Sequence, residues 1–148
     1  EKIGLSNHQG KHTFPHAARA KAYQWIDHWL NHKATKEEAS SGRIQSIDGR
    51  YILVDSPHKA LNYLLQSGAG VVAKRWMTIN QSHIKELELC APQLAFIHDE
   101  LQFECYPDHA QDLSASLVLS SAEAGEYYKL RVPITAEAKI GANWAEVH

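Results

Sequence analysis

Two hydrophobic periodicities alternate along the chain, and each predicts its own kind of element. In the polar segment 1–45, Ala17, Ala18, Ala20, Ala22, Trp25, Ile26, Trp29 and Leu30 recur at helical spacing behind Pro15, which predicts helix. Thr35 to Gly42 reads as a short capped helical turn ended by glycine. Arg43–Ile47 and Arg50–Val54 flank Asp48-Gly49 and are rich in β-branched and aromatic residues, the pattern of a β-hairpin with a left-handed Asp-Gly turn. Ser56-Pro57 then supplies an N-cap and a first-turn proline. The helix they open is predicted from about His58 to Ile79, with Leu61, Leu64, Leu65, Val72, Trp76 and Met77 as its core stripe. Gln81 to Pro92 reads as a second, weaker helix or loop.

The period changes to two over Leu94–Cys105. Leu94, Phe96 and His98 share one face, Ala95, Ile97 and Asp99 the other, and Leu101, Phe103 and Cys105 alternate against Gln102, Glu104 and Tyr106. These runs predict a second hairpin with Asp99 and Glu100 in its turn. Pro107–Ala124 returns to helical spacing through Ala110, Leu113, Leu117 and Val118, with Gly125 as its stop. Tyr127–Glu137 alternates at Tyr128, Leu130, Val132 and Ile134 and predicts a further strand, and Gly141–Trp144 a terminal turn with an anchoring indole. Locally paired strands with helices between them predict an α+β fold with a mostly antiparallel sheet.

Composition narrows the function classes. A chain of 148 residues is expected to form one domain with a real core, and 44% hydrophobic with 22% charged residues is ordinary for a globular protein. The formal charge, 15 − 17 = −2, lacks the basic excess common in nucleic-acid binders, although a locally basic groove is compatible with it. The apolar runs are far shorter than a membrane span and no secretory leader opens the chain, so a cytoplasmic protein with no membrane partner is expected. Cys90 and Cys105 fit reduced thiols. His8, His12 and His16, and again His28 and His32, recur every four residues, but Gly10 and Pro15 interrupt the first row and no carboxylate or cysteine completes a zinc set. They read as solvated histidines. A start at Glu1 rather than Met leads to the expectation of a piece of something longer, or a trimmed product.

Two features carry candidate chemistry. Adjacent carboxylates at Asp99 and Glu100 repel unless a cation sits beside them, and hard oxygen ligands suit Mg²⁺ or Mn²⁺. The alternative is an ordinary charged, solvated hairpin tip. Asn62 and Gln66 lie one turn apart on one helical face, with His58 extending the row. Amides both donate and accept, as minor-groove reading requires. The alternative is an exposed polar face. Gly68 and Gly70, at a cost of about 1 kcal/mol each in a helix interior, leave a stretch where a backbone or ligand can come close.

Phe96-Ile97-His98-Asp99-Glu100 resembles motif C of the family A DNA polymerases, the DNA polymerase I group. Ser46-Ile47-Asp48-Gly49-Arg50, Ser56-Pro57-His58, Ala60-Leu61-Asn62 and Leu64-Leu65-Gln66-Ser67 resemble the preceding segment in its short phage form. Val132-Pro133-Ile134 and Ala138–Trp144 are similar to the family's C-terminus, and Glu1-Lys2-Ile3-Gly4 to the stretch just after the fingers helix. The blocks keep their order over Ser46 to His148, and Leu5–Gln45 has no match.

The resemblance implies the helical end of the fingers over 1–45 and the C-terminal half of the palm over 46–148, a palm-type antiparallel sheet with a central hairpin packed against long helices. It implies that Asp99 is one of two aspartates holding a catalytic Mg²⁺ pair, with Glu100 supporting the site and His98 at the primer end. Asn62 and Gln66 would read minor-groove acceptors, and His58 stands where some bacterial members have Arg. The other metal-binding Asp and the nucleotide-binding helix are not found in the chain, nor are the thumb and the exonuclease. Template-directed nucleotidyl transfer is therefore expected only with an N-terminal part of the polymerase, on primer-template DNA and dNTP, in a bacterial or phage-infected bacterial cell. The competing reading is a non-catalytic DNA- or partner-binding module derived from a palm. An independent metal-dependent hydrolase would need a second carboxylate cluster, which the sequence lacks.

Overall fold

The structure, a computed structural model, describes residues 40–147. The expected helix over 17–30, most of the Thr35–Gly42 turn and the histidine rows lie outside the described residues. Ser40 is helical, and Gly42 follows at φ 78°, the left-handed conformation that glycine takes without a Cβ clash.

Strands β1 (Arg43–Gln45) and β2 (Tyr51–Leu53) pair antiparallel, with Ile44 opposite Ile52. The hairpin lies across the expected 45/46 boundary. Its connection is wider than the Asp-Gly turn expected: five residues, Ser46–Arg50, closed by Ser46 N–H donating to the Arg50 carbonyl at 2.7 Å and Gly49 N–H to the Ser46 carbonyl at 2.9 Å. Asp48 causes the difference. Its carboxylate accepts from the Arg50 backbone N–H at 3.3 Å and from Arg50 Nε at 2.5 Å, folding the loop onto itself.

A 3₁₀ turn, Pro57–Lys59, leads into helix α1 (Ala60–Glu86), 27 residues and so about 40 Å long. It runs seven residues past the Ile79 end expected and takes in the first half of the supposed weaker helix. No Gly or Pro interrupts 71–91, and Asn80 and Ile84 continue the buried stripe. The helix stops where Glu88 turns left-handed at φ 52°.

Strands β3 (Gln93–Ile97) and β4 (Glu100–Phe103) form the second antiparallel pair, with a bulge between Gln93 and Ala95 that takes Leu94 out of the ladder. After a 3₁₀ turn at Pro107–His109, helix α2 (Ala110–Tyr127) continues through Gly125 instead of ending there. The order is α+β with antiparallel pairing, as expected, in two separate two-stranded sheets.

The strand predicted over Tyr127–Glu137 is not formed. Tyr127 belongs to α2, Lys129 turns left-handed at φ 53°, and 130–140 carries no regular structure. The alternation is nonetheless real: Val132, Ile134, Ala136 and Ala138 are half-buried while the residues between them are exposed. A strand also needs a ladder partner, and none is supplied among the described residues. The segment packs instead on α2 through Ile134 at Gly125. A Cβ built on Gly125 would lie 2.8 Å from Ile134 Cγ1. An alanine in a helix normally gains about 1 kcal/mol over glycine. Here Gly125→Ala is expected to reverse that sign and destabilise by about 1–3 kcal/mol through overpacking, with faster hydrogen exchange confined to 130–140 and the end of α2.

At the C-terminus α3 (Trp144–Val147) is a single turn, and Trp144 is 56% exposed, so the indole does not anchor it in this fold. The Glu146 carboxylate does the closing, accepting from Ala142 N–H and Asn143 Nδ2, each at 2.8 Å.

Two small apolar clusters sit at opposite ends of α1. Ile44, Val54, Ala60 and Leu64 hold the first hairpin at its start; Ile84, Ala91 and Leu113, with Phe103 and Leu117 packed on them, hold the second at its end. Between them the α1–α2 seam is polar. Asn80 is fully buried and its Oδ1 accepts from Ser116 at 2.8 Å and Ser120 at 3.5 Å, Trp76 Nε1 donates to the Leu117 carbonyl at 2.9 Å, and His83 meets Glu123 at 3.0 Å. Such directional bonds fix helix register where oily packing alone would allow sliding.

Candidate functional site

The β3–β4 ladder closes with Ile97 opposite Glu100, so the two turn residues are His98 and Asp99 rather than Asp99 and Glu100. A two-residue hairpin turn needs a positive φ, and His98 takes it at 57°. Histidine tolerates that region better than most side chains. His98 and Asp99 stand exposed at the tip, while Glu100 is the first residue of β4 and half-buried. Residues two apart on a strand share a face, and Gln102 Nε2 donates to Glu100 Oε1 there. The base of the hairpin is fixed by Phe103 in the Ile84–Leu113 cluster. The tip is therefore a carboxylate held out from the body on a short, paired ribbon.

Among the described residues no three His, Cys, Asp or Glu side chains gather to hold a metal ion. Mg²⁺ keeps several waters and takes one or two protein carboxylates plus substrate phosphates, so a single accessible carboxylate with a second beside it is a usable share of its shell.

The amide candidates lie on α1. Asn62 and Gln66 are both exposed, one turn apart, and His58 falls in the preceding 3₁₀ turn. Gln66 lines a cavity of about 360 Å³ between α1 and the first hairpin, with Ser46, Arg50, Ser67, Gly70 and Lys74. A second, of about 200 Å³, adjoins it and shares Arg50, Val71 and Lys74. Neither is lined by His98, Asp99 or Glu100. The structure thus groups Gln66 with cations contributed by the hairpin loop and the middle of α1, a grouping absent from the sequence reading. Its one sequence signal was the four-residue spacing from Gln66 to Gly70 to Lys74.

The hairpin rests on α1 through a Ser46–Ser67 hydroxyl pair at 2.7 Å and through Ile47, whose Cγ2 would lie 4.0 Å from a Cβ on Gly68. Gly68 thus meets its own chain. A Cβ on Gly70 would have nothing within 4 Å, so its missing side chain leaves the cavity open instead. Burial pushes the Asp48 carboxyl up, but hydrogen bonds from Arg50 and its charge outweigh this and hold it below the usual carboxylate range. Arg75 lies flat on Tyr127, 3.8 Å from the ring centroid, with its buried Nε meeting no acceptor.

Comparison with known proteins places this arrangement. The profile described as DNA polymerase family A matches residues 10–146. The DNA-directed DNA polymerase of Enterobacteria phage T3 is 34% identical over 115 residues, covering 71% of this chain and 16% of that protein. The polymerase of Escherichia phage T7 is 31% identical over the same length and coverage. DNA polymerase I of Aquifex aeolicus is 22% identical over 128 residues, 85% of this chain and 22% of that protein. Among solved structures, the POL domain of Pol1 from M. smegmatis, in complex with DNA primer-template and dNTP, superposes with a TM-score of 0.59 at 22% identity, over 80% of this chain and 23% of that one. The chain therefore spans only about a sixth to a fifth of the length of these curated relatives. With the profile covering nearly all of it, the chain belongs to family A of the DNA polymerases.

Proposed function

We propose that the chain is the C-terminal catalytic-palm portion of a DNA-directed DNA polymerase and that Asp99 supplies one side of its metal site. The observation that carries this is the placement of Asp99 at the exposed tip of a paired hairpin within a family A match. In this reading 1–45 ends the fingers and 46–148 forms the C-terminal half of the palm. The remaining partners are an N-terminal part of the polymerase, with the other metal-binding Asp and the nucleotide-binding helix, together with primer-template DNA and dNTP. No helix among the described residues is long and apolar enough to cross a membrane. The setting proposed is the cytoplasm of a bacterial or phage-infected bacterial cell.

In the reaction the primer 3′-hydroxyl gives up its proton to solvent as its oxygen forms a bond to the α-phosphorus of the dNTP, and the bond to pyrophosphate, the leaving group, breaks. Mg²⁺, when bound, would neutralise the charge that develops in this transfer. Asp99 would hold the cation from this chain, and Glu100, oriented by Gln102, would support the site from the adjacent strand position. His98 borders the primer terminus. Asn62 and Gln66, with His58 before them, face minor-groove acceptors of the new base pairs, which sit at similar positions in every pair.

Complementation tests this. Neither the chain nor an N-terminal polymerase fragment ending before it should extend a primer alone, and their mixture should. Extension by the chain alone, or by the fragment without it, contradicts the proposal. A second expected outcome concerns His98. Relieving its left-handed backbone in His98→Gly should stabilise the hairpin by about 1 kcal/mol. The same change should slow extension by the assembled enzyme, so melting temperature and rate move in opposite directions.

A further inference from the structure

The row begun by Asn62 and Gln66 does not stop there. Gly70, Lys74 and Thr78 continue it at four-residue spacing as a ridge that winds about 40° around α1 at each step; four of the five residues are exposed, and Gln66, Gly70 and Lys74 line the same cavity. The row is about 24 Å long at about 1.5 Å per residue, roughly the length of seven base steps along one strand of a duplex. Its chemistry changes along the way, from amides at Asn62 and Gln66, through the opening at Gly70, to the ammonium of Lys74. Lys74 has no acidic partner among the described residues. The hairpin loop brings Arg50 over the same stretch. Its Nε is tied to Asp48, yet 68% of the side chain remains accessible. Arg75, laid on Tyr127, lines the second cavity beside them. The two adjoining cavities thus hold three cations against the single carboxylate of Asp48, on a chain whose net charge is −2. A net positive groove in an acidic chain suits an anion of extended form.

We propose that Lys74 and Arg50 bind backbone phosphates of the nucleic-acid strand whose base edges meet Asn62 and Gln66, so that one winding ridge of α1, continued by the cavity that Gln66, Lys74 and Arg50 share, carries both base and phosphate contacts. The inference rests on the polymerase reading above. Asn62 and Gln66 make hydrogen bonds to bases and release no counterions. Lys74 and Arg50 each neutralise a phosphate and do. The two halves of the row are therefore distinguishable by salt.

The test is binding of a labelled primer-template duplex to the full chain between about 50 and 200 mM salt, for wild type, Lys74→Gln, Arg50→Gln and Gln66→Ala. All three positions are exposed, and circular dichroism confirms the fold of each variant. Each cation variant should reduce the slope of log affinity against log salt by about 0.9, whereas Gln66→Ala should weaken binding at an unchanged slope. Lys74→Arg should restore the wild-type slope. A wild type that binds with slopes unaltered by both cation variants overturns this inference and leaves the polymerase reading standing. No binding by wild type at any salt overturns this inference, while the polymerase reading stands or falls on the complementation assay. Sodium triphosphate is the remaining arm. If it saturates the groove with micromolar affinity and Lys74→Gln abolishes that binding without altering the DNA slope, the site takes a free nucleotide's phosphates and the backbone assignment is wrong.

Discussion

Asp99→Ala is expected to lower nucleotide incorporation by the reconstituted polymerase at least about 10³-fold, which corresponds to roughly 4 kcal/mol in the barrier. The geometry gives the reason. Asp99 sits on the turn and buries no side chain against the body, so its removal disturbs neither apolar cluster and, on the proposed reading, takes away only a cation ligand. Assembly with the N-terminal part and the unfolding midpoint should therefore stay as in wild type. Glu100→Gln should cost less, because an amide still accepts from Gln102 and only the supporting charge is lost. Steady-state extension rates at saturating dNTP, with gel filtration of the assembled complex, check both halves. If Asp99→Ala extends primers at the wild-type rate, Asp99 is not a metal ligand.

The second large effect is on stability. Leu64 is 1% exposed and lies at the centre of the cluster that seats the first hairpin on α1. Leu64→Ala should cost about 2–5 kcal/mol through lost burial and the cavity left behind. Because the clusters are separate and joined by a polar seam, the damage should be local. Hydrogen exchange should quicken in β1, β2 and the first turns of α1, while β3, β4 and α2 retain their protection. DNA binding should weaken at the same time, since Arg50 reaches the groove only while the hairpin stays seated. Uniform loosening of both hairpins would show instead that the chain unfolds as one unit.

Much of this was legible in the residues. The β-branched and aromatic runs around Asp48-Gly49, the period-two run at 94–105 and the helical stripes between and after them found both hairpins and both long helices. Family resemblance then gave the residues at the tip their expected roles. What the sequence hid follows from tertiary context. Gly125 reads as a helix stop, yet α2 passes through it, because its missing Cβ is what admits Ile134. Asn80 lies just beyond the helix end expected at Ile79, but Ser116 and Ser120 give it partners in the seam, and α1 runs on past it. The alternation over 130–138 is a correct record of burial, but burial does not make a ladder. Trp144 was expected as an anchoring indole of the terminal turn, but more than half of it stays exposed.

The site divided in the same way. The turn at Asp99 could be placed from local pattern alone, to within one residue, because a strand pair fixes its own tip. The groove could not, since Arg50 and Lys74 are distant in sequence and meet only because Ser46 and Ile47 lie down on Ser67 and Gly68. Local chemistry is readable from spacing; chemistry assembled by packing is not.

Replacing Mg²⁺ by Fe²⁺ in the assembled complex, with primer-template and an unreactive dNTP analogue, and letting ascorbate and peroxide generate hydroxyl radicals at the bound ion, tests the metal assignment most directly. The chain should be cut within a few residues of His98–Glu100, and Asp99→Ala should erase those cuts while leaving the complex assembled. Cleavage centred elsewhere in the chain, or cuts at the tip that survive Asp99→Ala, would contradict it.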